Sequence, residues 1–171
     1  QPDAVAHAGL DGVAVGVAPP AAWPEKLTRK WKVKVGEGHS SPVVSGGRIF
    51  LLARSGDREV ASALEPGDGK ILWQQSYDAP YTMNSAATGH GKGPKSTPVV
   101  HGGRLFTLGI SGVLSCFDAS TGRVMWRKEF SGGFPAKSPL YGAAMSPAVV
   151  DGLLVAHVGG HGGGMLAAFD L

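Results

Sequence analysis

The stretch from Ala63 to Trp73 reads Ala-Leu-Glu-Pro-Gly-Asp-Gly-Lys-Ile-Leu-Trp, and it returns from Cys116 to Trp126 as Cys-Phe-Asp-Ala-Ser-Thr-Gly-Arg-Val-Met-Trp. Its first four positions appear again as Ala168-Phe169-Asp170-Leu171. Each copy runs through a small residue, a hydrophobe, an acid, a turn closing on glycine, two hydrophobes and a tryptophan, the last copy stopping after the acid. An apolar strand thus leads into a tight turn, and a second strand leaves it carrying a large aromatic. A chain that repeats such a unit is a stack of copies of one supersecondary element, so the repeat constrains architecture before anything else does.

A second pattern interleaves with the first. Ser41-Pro42-Val43-Val44-Ser45-Gly46-Gly47-Arg48-Ile49-Phe50 recurs as Thr97-Pro98-Val99-Val100-His101-Gly102-Gly103-Arg104-Leu105-Phe106 and as Ser146-Pro147-Ala148-Val149-Val150-Asp151-Gly152-Leu153-Leu154-Val155. Strand, glycine turn, strand is a hairpin signal with a mechanism, because glycine accepts positive φ. The prolines lie 56 and 49 residues apart, and Trp31, Trp73 and Trp126 lie 42 and 53 apart. These intervals bracket the roughly 40–50-residue units of propeller blades.

Four strands are expected in the first unit, near 41–44, 48–53, 60–64 and 70–75. The second has four near 97–100, 104–109, 113–117 and 123–128, and the third has three near 146–150, 153–158 and 165–169. No segment shows a helical period with a cap. The fold class is therefore all-β: a β-propeller of four-stranded antiparallel blades, about three of them present in an incomplete ring.

Composition agrees. Glycine (27) and proline (12) are abundant beside 43% hydrophobic residues, which argues for short strands and tight turns rather than disorder. Sixteen Lys and Arg against 13 Asp and Glu give +3, too mild for a nucleic-acid partner. The locally basic run of Lys26, Arg29, Lys30, Lys32 and Lys34 reads as a solvated face of the leading strand. One cysteine, Cys116, excludes an internal disulfide and occupies a repeat position held by Ala168, so it is expected to be a small buried residue. No apolar run reaches the ~18–20 residues of a membrane span.

Residues 1–26 read as an irregular lead-in and 27–171 as the propeller segment, with blades at about 36–77, 90–130 and 140–171. Trp31-Lys32-Val33-Lys34-Val35 alternates as a half-buried strand does. Three blades are fewer than the roughly 4–8 that close a ring. The remaining blades are therefore expected from a longer chain or from another copy. A start at Gln1 fits a mature chain after leader removal or an internal fragment.

The repeated stretch resembles the pyrroloquinoline-quinone (PQQ)-like propeller repeat, Ala-x-Asp-x-x-Thr-Gly-x-x-x-Trp, of the quinoprotein alcohol dehydrogenase-like superfamily. Asp118, Thr121, Gly122 and Trp126 match it, with Cys116 in place of alanine; Ala63, Gly69 and Trp73 match, with Glu65 for the aspartate and Asp68 for the threonine; Ala168 and Asp170 match. The resemblance implies that Trp31, Trp73 and Trp126 dock between blades and are structural, as are Asp118, Thr121 and Gly122. The superfamily holds dehydrogenases that carry PQQ and Ca²⁺ in the channel, and also an outer-membrane assembly lipoprotein with no cofactor. The dehydrogenases carry adjacent cysteines against the quinone, and this chain has one cysteine. The expectation is a non-catalytic ligand- or protein-binding scaffold, exported to the periplasm or secreted, without cofactor. The alternative is the N-terminal part of a quinoprotein alcohol dehydrogenase using PQQ and Ca²⁺.

Binding in a propeller favours loops at one end of the channel. The loops leading into the Pro-Val-Val strands span 36–40, 77–96 and 134–145, and from them His39, Tyr81, Asn84, His90, Lys92, Lys95 and Tyr141 are candidate contacts to another protein or a small polar ligand. Gly89–Ser96 grazes a phosphate-loop pattern, but Pro94 stands where the second glycine belongs and removes a backbone N–H. His157 and His161 lie in a glycine-rich stretch read as a hairpin tip, with no further metal ligand near in sequence. Asp118 and Asp170 are assigned to turn hydrogen bonds rather than to acid–base work.

Overall fold

The computed structural model describes residues 21–130, 141–159 and 163–171. Most of the 1–26 lead-in, residues 134–140 of the third loop and His161 lie outside these residues. Among the described residues eleven strands form three antiparallel sheets, each ordered by sequence. The first sheet holds β1 (Val43–Ser45), β2 (Arg48–Ser55), β3 (Arg58–Leu64) and β4 (Ile71–Asp78). The second holds β5 (Val99–His101), β6 (Arg104–Leu108), β7 (Val113–Asp118) and β8 (Val124–Glu129). The third holds β9 (Ala148–Val150), β10 (Leu153–Val158) and β11 (Met165–Asp170). These are two complete blades and three strands of another, the partial propeller that the repeat implies.

The repeats set register as well as order. Ala63 pairs with Trp73 and Cys116 with Trp126, and in both ladders the register shifts at the next pair. The first hairpin of each blade turns on two left-handed residues: Gly46 and Gly47 (φ 55 and 68), Gly102 and Gly103 (56 and 73), Asp151 and Gly152 (48 and 77). Two successive positive φ values match the right-handed twist of the flanking strands.

The core sits between blades, not within them. Phe50, Leu52, Ala61, Ala63 and Tyr77 of the first blade meet Leu105, Val113 and Phe117 of the second. On its other face the second blade sends Phe106, Leu108, Leu114 and Cys116 against Val149, Leu154, Ala156 and Val158 of the third. The middle blade is covered on both sides, which is why Leu105–Leu108 and Val113–Phe117 are buried without alternation.

Two expectations change. Trp31–Val35 shows the expected burial, half-buried at Trp31, Val33 and Val35 and exposed at Lys32 and Lys34, but among the described residues it pairs with no strand. The nearest pairing is a single bridge, Glu37 to Arg54. Alternation reports which face is covered; a ladder also needs a neighbouring strand within hydrogen-bond reach. The all-β expectation missed a short 3-10 helix, Ser85–His90, capped by Asn84 Oδ1, which accepts from the Ala86 N–H at 2.9 Å. Six residues are too few for a helical period to show. None of the described helices is long and apolar enough to cross a membrane.

Because strands alternate in direction, the β1–β2 and β3–β4 turns share one end of the blade stack. The β2–β3 turn and the long connection after β4 share the other. The two ends have different chemistry.

Candidate functional site

At the short-turn end the repeat motif becomes a docking device. Trp31 lays its indole on Gly69, where an added Cβ would fall 2.5 Å from the ring, and its Nε1–H donates to the Pro66 carbonyl at 2.8 Å. Trp73 does the same one blade on: a Cβ on Gly122 would lie 2.5 Å from the indole, and Nε1–H donates to the Ala119 carbonyl at 3.0 Å. Gly69 and Gly122 both have φ +76. The glycine is thus required twice, by backbone conformation and by the ring above it. Trp126 is half-buried and packs against Phe106 at 6.0 Å between centroids.

The repeat's acid builds the turn. Asp118 Oδ1 accepts from the backbone N–H groups of Ser120 (3.0 Å) and Thr121 (2.9 Å) and from both hydroxyls. Hydrogen bonding led by the Ser120 hydroxyl, with the backbone and hydroxyl of Thr121, holds its carboxyl down to about 2. Glu65 replaces it in the first blade, its longer arm accepting from Gly67 N–H (2.7 Å) and Asp68 N–H (3.0 Å). Asp68 stands in for the threonine by accepting from Lys70 N–H. The Glu65 and Asp118 carboxylates are thus held by the donors of their own turns.

A second device lines the inner strands. Ser41 N–H donates to Thr97 Oγ1 at 3.4 Å, and Thr97 N–H to Ser146 Oγ at 2.9 Å. In the second and third units the hydroxyl residue before the Pro-Val/Pro-Ala strand receives the N–H of its counterpart one blade back. Between the inner strands lies a cavity of about 870 Å³ lined by Val43, Val44, Thr97, Val99, His101 and Ala148 among others. It reaches the short turns at Gly46, Gly102 and Ser120, and none of the seven loop candidates lines it.

The long-loop end gathers some of those candidates. His39 Nε2 lies 3.0 Å from the His90 carbonyl oxygen, which can only accept, so Nε2 carries the proton. The His90 ring meets the Tyr141 ring edge-on, centroids 5.0 Å apart. The Pro94 carbonyl accepts from the N–H groups of His39 and Ser40, so the phosphate-loop-like stretch is fastened to the first blade's leading loop and a strand follows it. Gly93 lies against Gly38 so closely that a Cβ would meet its Cα at 2.5 Å. Three leading loops are therefore interlocked through His39, His90 and Tyr141. Lys92 and Lys95 are half-buried beside them, and burial lowers the Lys95 ammonium below its usual range. Asn84 is the helix cap, and Tyr81 is 8% exposed. His157 lies on β10, exposed, rather than in the following turn. Among the described residues no three His, Cys, Asp or Glu side chains are grouped to hold a metal.

Sequence reading missed a buried polar row at this end. Arg54, Glu59 and Tyr77 stand side by side across β2, β3 and β4. Tyr77 OH donates to Glu59 Oε2 at 2.8 Å, and from the second blade Ile110 N–H donates to Oε1 at 2.7 Å. Gly109 leaves the room: a Cβ there would fall on the carboxylate. Arg54 donates to the Gly56 and Ala79 carbonyls at 2.8 Å, and the Arg127 guanidinium lies 4.1 Å over the Tyr77 ring. Burial outweighs the donors and raises the Glu59 carboxyl, and it raises the Tyr77 phenol further. The one available signal was an Arg and a Glu at the borders of the strands expected near 48–53 and 60–64, which the structure extends to take them in.

A family model described as outer membrane protein assembly factor BamB matches residues 56–171. The chain is 31% identical over 94 residues to outer membrane protein assembly factor BamB of Aliivibrio fischeri, covering 55% of this chain and 23% of that protein. The Escherichia coli K12 protein of that name is 31% identical over 97 residues, covering 54% and 22%. The chain thus matches less than a quarter of the length of these curated relatives. Among solved structures, BamB from Moraxella catarrhalis superposes with a TM-score of 0.55 at 21% identity, over 82% of this chain and 36% of that one. Quinohemoprotein alcohol dehydrogenase ADHIIG from Pseudomonas putida HK5 gives 0.55 at 23%, over 82% and 20%. At these identities the two structures establish a shared fold.

Proposed function

We propose that this chain, which belongs to the outer membrane protein assembly factor BamB family, is a non-catalytic scaffold that binds protein partners, exported to the periplasm, and that it serves the assembly of outer-membrane proteins. The observation that carries this reading is the family match over residues 56–171, which takes in both complete motif turns. The side chains that recur with the motif support it, because they act in construction: the acid holds a turn and the tryptophan a seam. Cys116 is fully buried, and burial pushes its thiol up to about 11. A protein partner would meet the interlocked long loops, where His39, His90, Lys92, Lys95 and Tyr141 are the contacts we assign. The function needs no cofactor in this reading.

Deleting the gene in its host and quantifying outer-membrane β-barrel proteins tests the assignment. Reduced levels, restored by the intact gene but not by one altered at His90 and Tyr141, are expected. Unchanged levels on deletion would remove the assembly role. Dye-linked alcohol oxidation by the purified protein with added PQQ and Ca²⁺ would move the assignment to the quinoprotein reading.

A further inference from the structure

Five of the 16 Lys and Arg residues fall between positions 25 and 34, beside a single acid, Glu25; the rest of the chain carries 11 cations against 12 acids. The basic excess of the molecule is therefore confined to ten residues. All five cations are exposed, and among the described residues none forms an ion pair. The segment belongs to no sheet, and it is fastened at its far end, where Trp31 docks on Gly69 and donates to Pro66. Ahead of that anchor stand two large apolar side chains that are exposed among the described residues: Trp23 is 74% exposed and Leu27 86%.

We propose that Trp23–Lys34 is a docking strip for an anionic lipid surface, separate from the protein-binding role assigned above. Charge complementarity identifies the partner as anionic, and each Lys or Arg near such a surface adds attraction that falls off within a screening length. The spacing of the apolar residues separates lipid from an acidic protein. A protein interface needs a contiguous apolar centre that excludes water. Here Trp23 and Leu27 stand singly among charges, an arrangement suited to a membrane–water boundary, where an indole sits at headgroup level and Lys and Arg stems reach the phosphates. The reading of this run as a solvated face accounts for the charge but leaves Trp23 and Leu27 in water.

The purified protein is to be sedimented with phosphatidylcholine vesicles containing phosphatidylglycerol, and with vesicles of phosphatidylcholine alone. Binding to the first, weakened by salt and absent with the second, is expected. Tryptophan emission should shift to the blue on binding, and Trp23→Ala should abolish that shift because Trp31, Trp73 and Trp126 are already half-buried. Lys26→Gln with Lys30→Gln should weaken partitioning about 25-fold, about fivefold per cation. Both positions are exposed, so an unchanged melting midpoint shows that the fold is intact. No sedimentation with the anionic vesicles, or sedimentation indifferent to the double substitution, overturns the proposal. So does binding to soluble polyglutamate with none to vesicles, which would assign the strip to an acidic protein.

Discussion

Trp73 and Gly122 belong to one device, and a double-mutant cycle isolates it. Trp73→Ala removes an indole packed on Gly122, with Phe50 and Phe117 rings at 6.2 and 6.3 Å and a hydrogen bond to Ala119. Truncation of a packed aromatic costs about 3–5 kcal/mol, of which the lost hydrogen bond is about 1. Trp73→Phe keeps most of the packing and should cost about 1–2 kcal/mol. Gly122→Ala has two separable penalties. At φ +76 an alanine is strained by about 1–2 kcal/mol, and its Cβ would lie 2.5 Å from the indole, adding about 1–3 for overpacking.

In the Trp73→Ala background the second penalty disappears and the first stays. Gly122→Ala should therefore cost about 2–5 kcal/mol in the parent and about 1–2 in the tryptophan-less protein, a coupling of about 1–3. Urea unfolding followed by far-ultraviolet circular dichroism, with denaturant slopes compared across the four proteins, measures each corner. If Gly122→Ala costs the same in both backgrounds, the glycine answers only to backbone conformation and the docking argument fails. If Trp73→Ala is near neutral, the indole is not a seam element.

Glu59 gives a pH-dependent test. Its folded value lies above the ordinary carboxylate one, so its contribution is largest at low pH and declines as pH rises from the ordinary value through the folded one. Glu59→Gln, which keeps an acceptor for Ile110 N–H, should gain stability over the parent across that window, starting at about pH 4. Glu59→Ala leaves Ile110 N–H and Tyr77 OH without an acceptor and should cost about 2–5 kcal/mol; a Gln variant no better than the Ala one would sink this account. Asp118 behaves in the opposite sense. Its value is held down, so its contribution is present above the ordinary aspartate value and is lost as pH falls through about 2. An NMR titration of its side-chain carbonyl should find that midpoint, Ser120→Ala with Thr121→Val should raise it, and an ordinary midpoint in the parent would refute the turn assignment.

The repeat made the blades, the hairpin turns and the tryptophan seams legible, because each is a local pattern copied at a fixed interval. Ser41, Thr97 and Ser146 were visible as a recurring position, but their hydrogen bonds run from one blade to the next, and spacing along one copy does not report what the next copy presents. Trp31–Val35 failed for a related reason: alternation is a property of a segment, and pairing is a property of two. At the long-loop end His39, His90 and Tyr141 come from three separate leading loops, and they meet only because the blades stack in order. The helix that Asn84 caps was hidden by its brevity.

The buried row marks where the blades stop being copies. In register terms Arg54, Glu59 and Tyr77 of the first blade correspond to Ile110, Gly112 and Phe130 of the second, where Phe130 N–H donates to the Gly112 carbonyl across the same rung. A device of stacking alone would be expected in both blades, as the tryptophan dock and the turn acid are. Glu59 instead accepts from Ile110, the residue standing at its neighbour's Arg54 position, so the first blade's polar row fits only an apolar second row. Gly109 leaves the space that the Glu59 carboxylate fills from the first blade. The asymmetry makes this seam a specific match between two unlike blades rather than a repeat of one pattern. The row lies beside two of the leading loops: Glu37 bridges to Arg54, Ala143 N–H donates to the Ile110 carbonyl, and Gly142 lies against the Ile110 side chain.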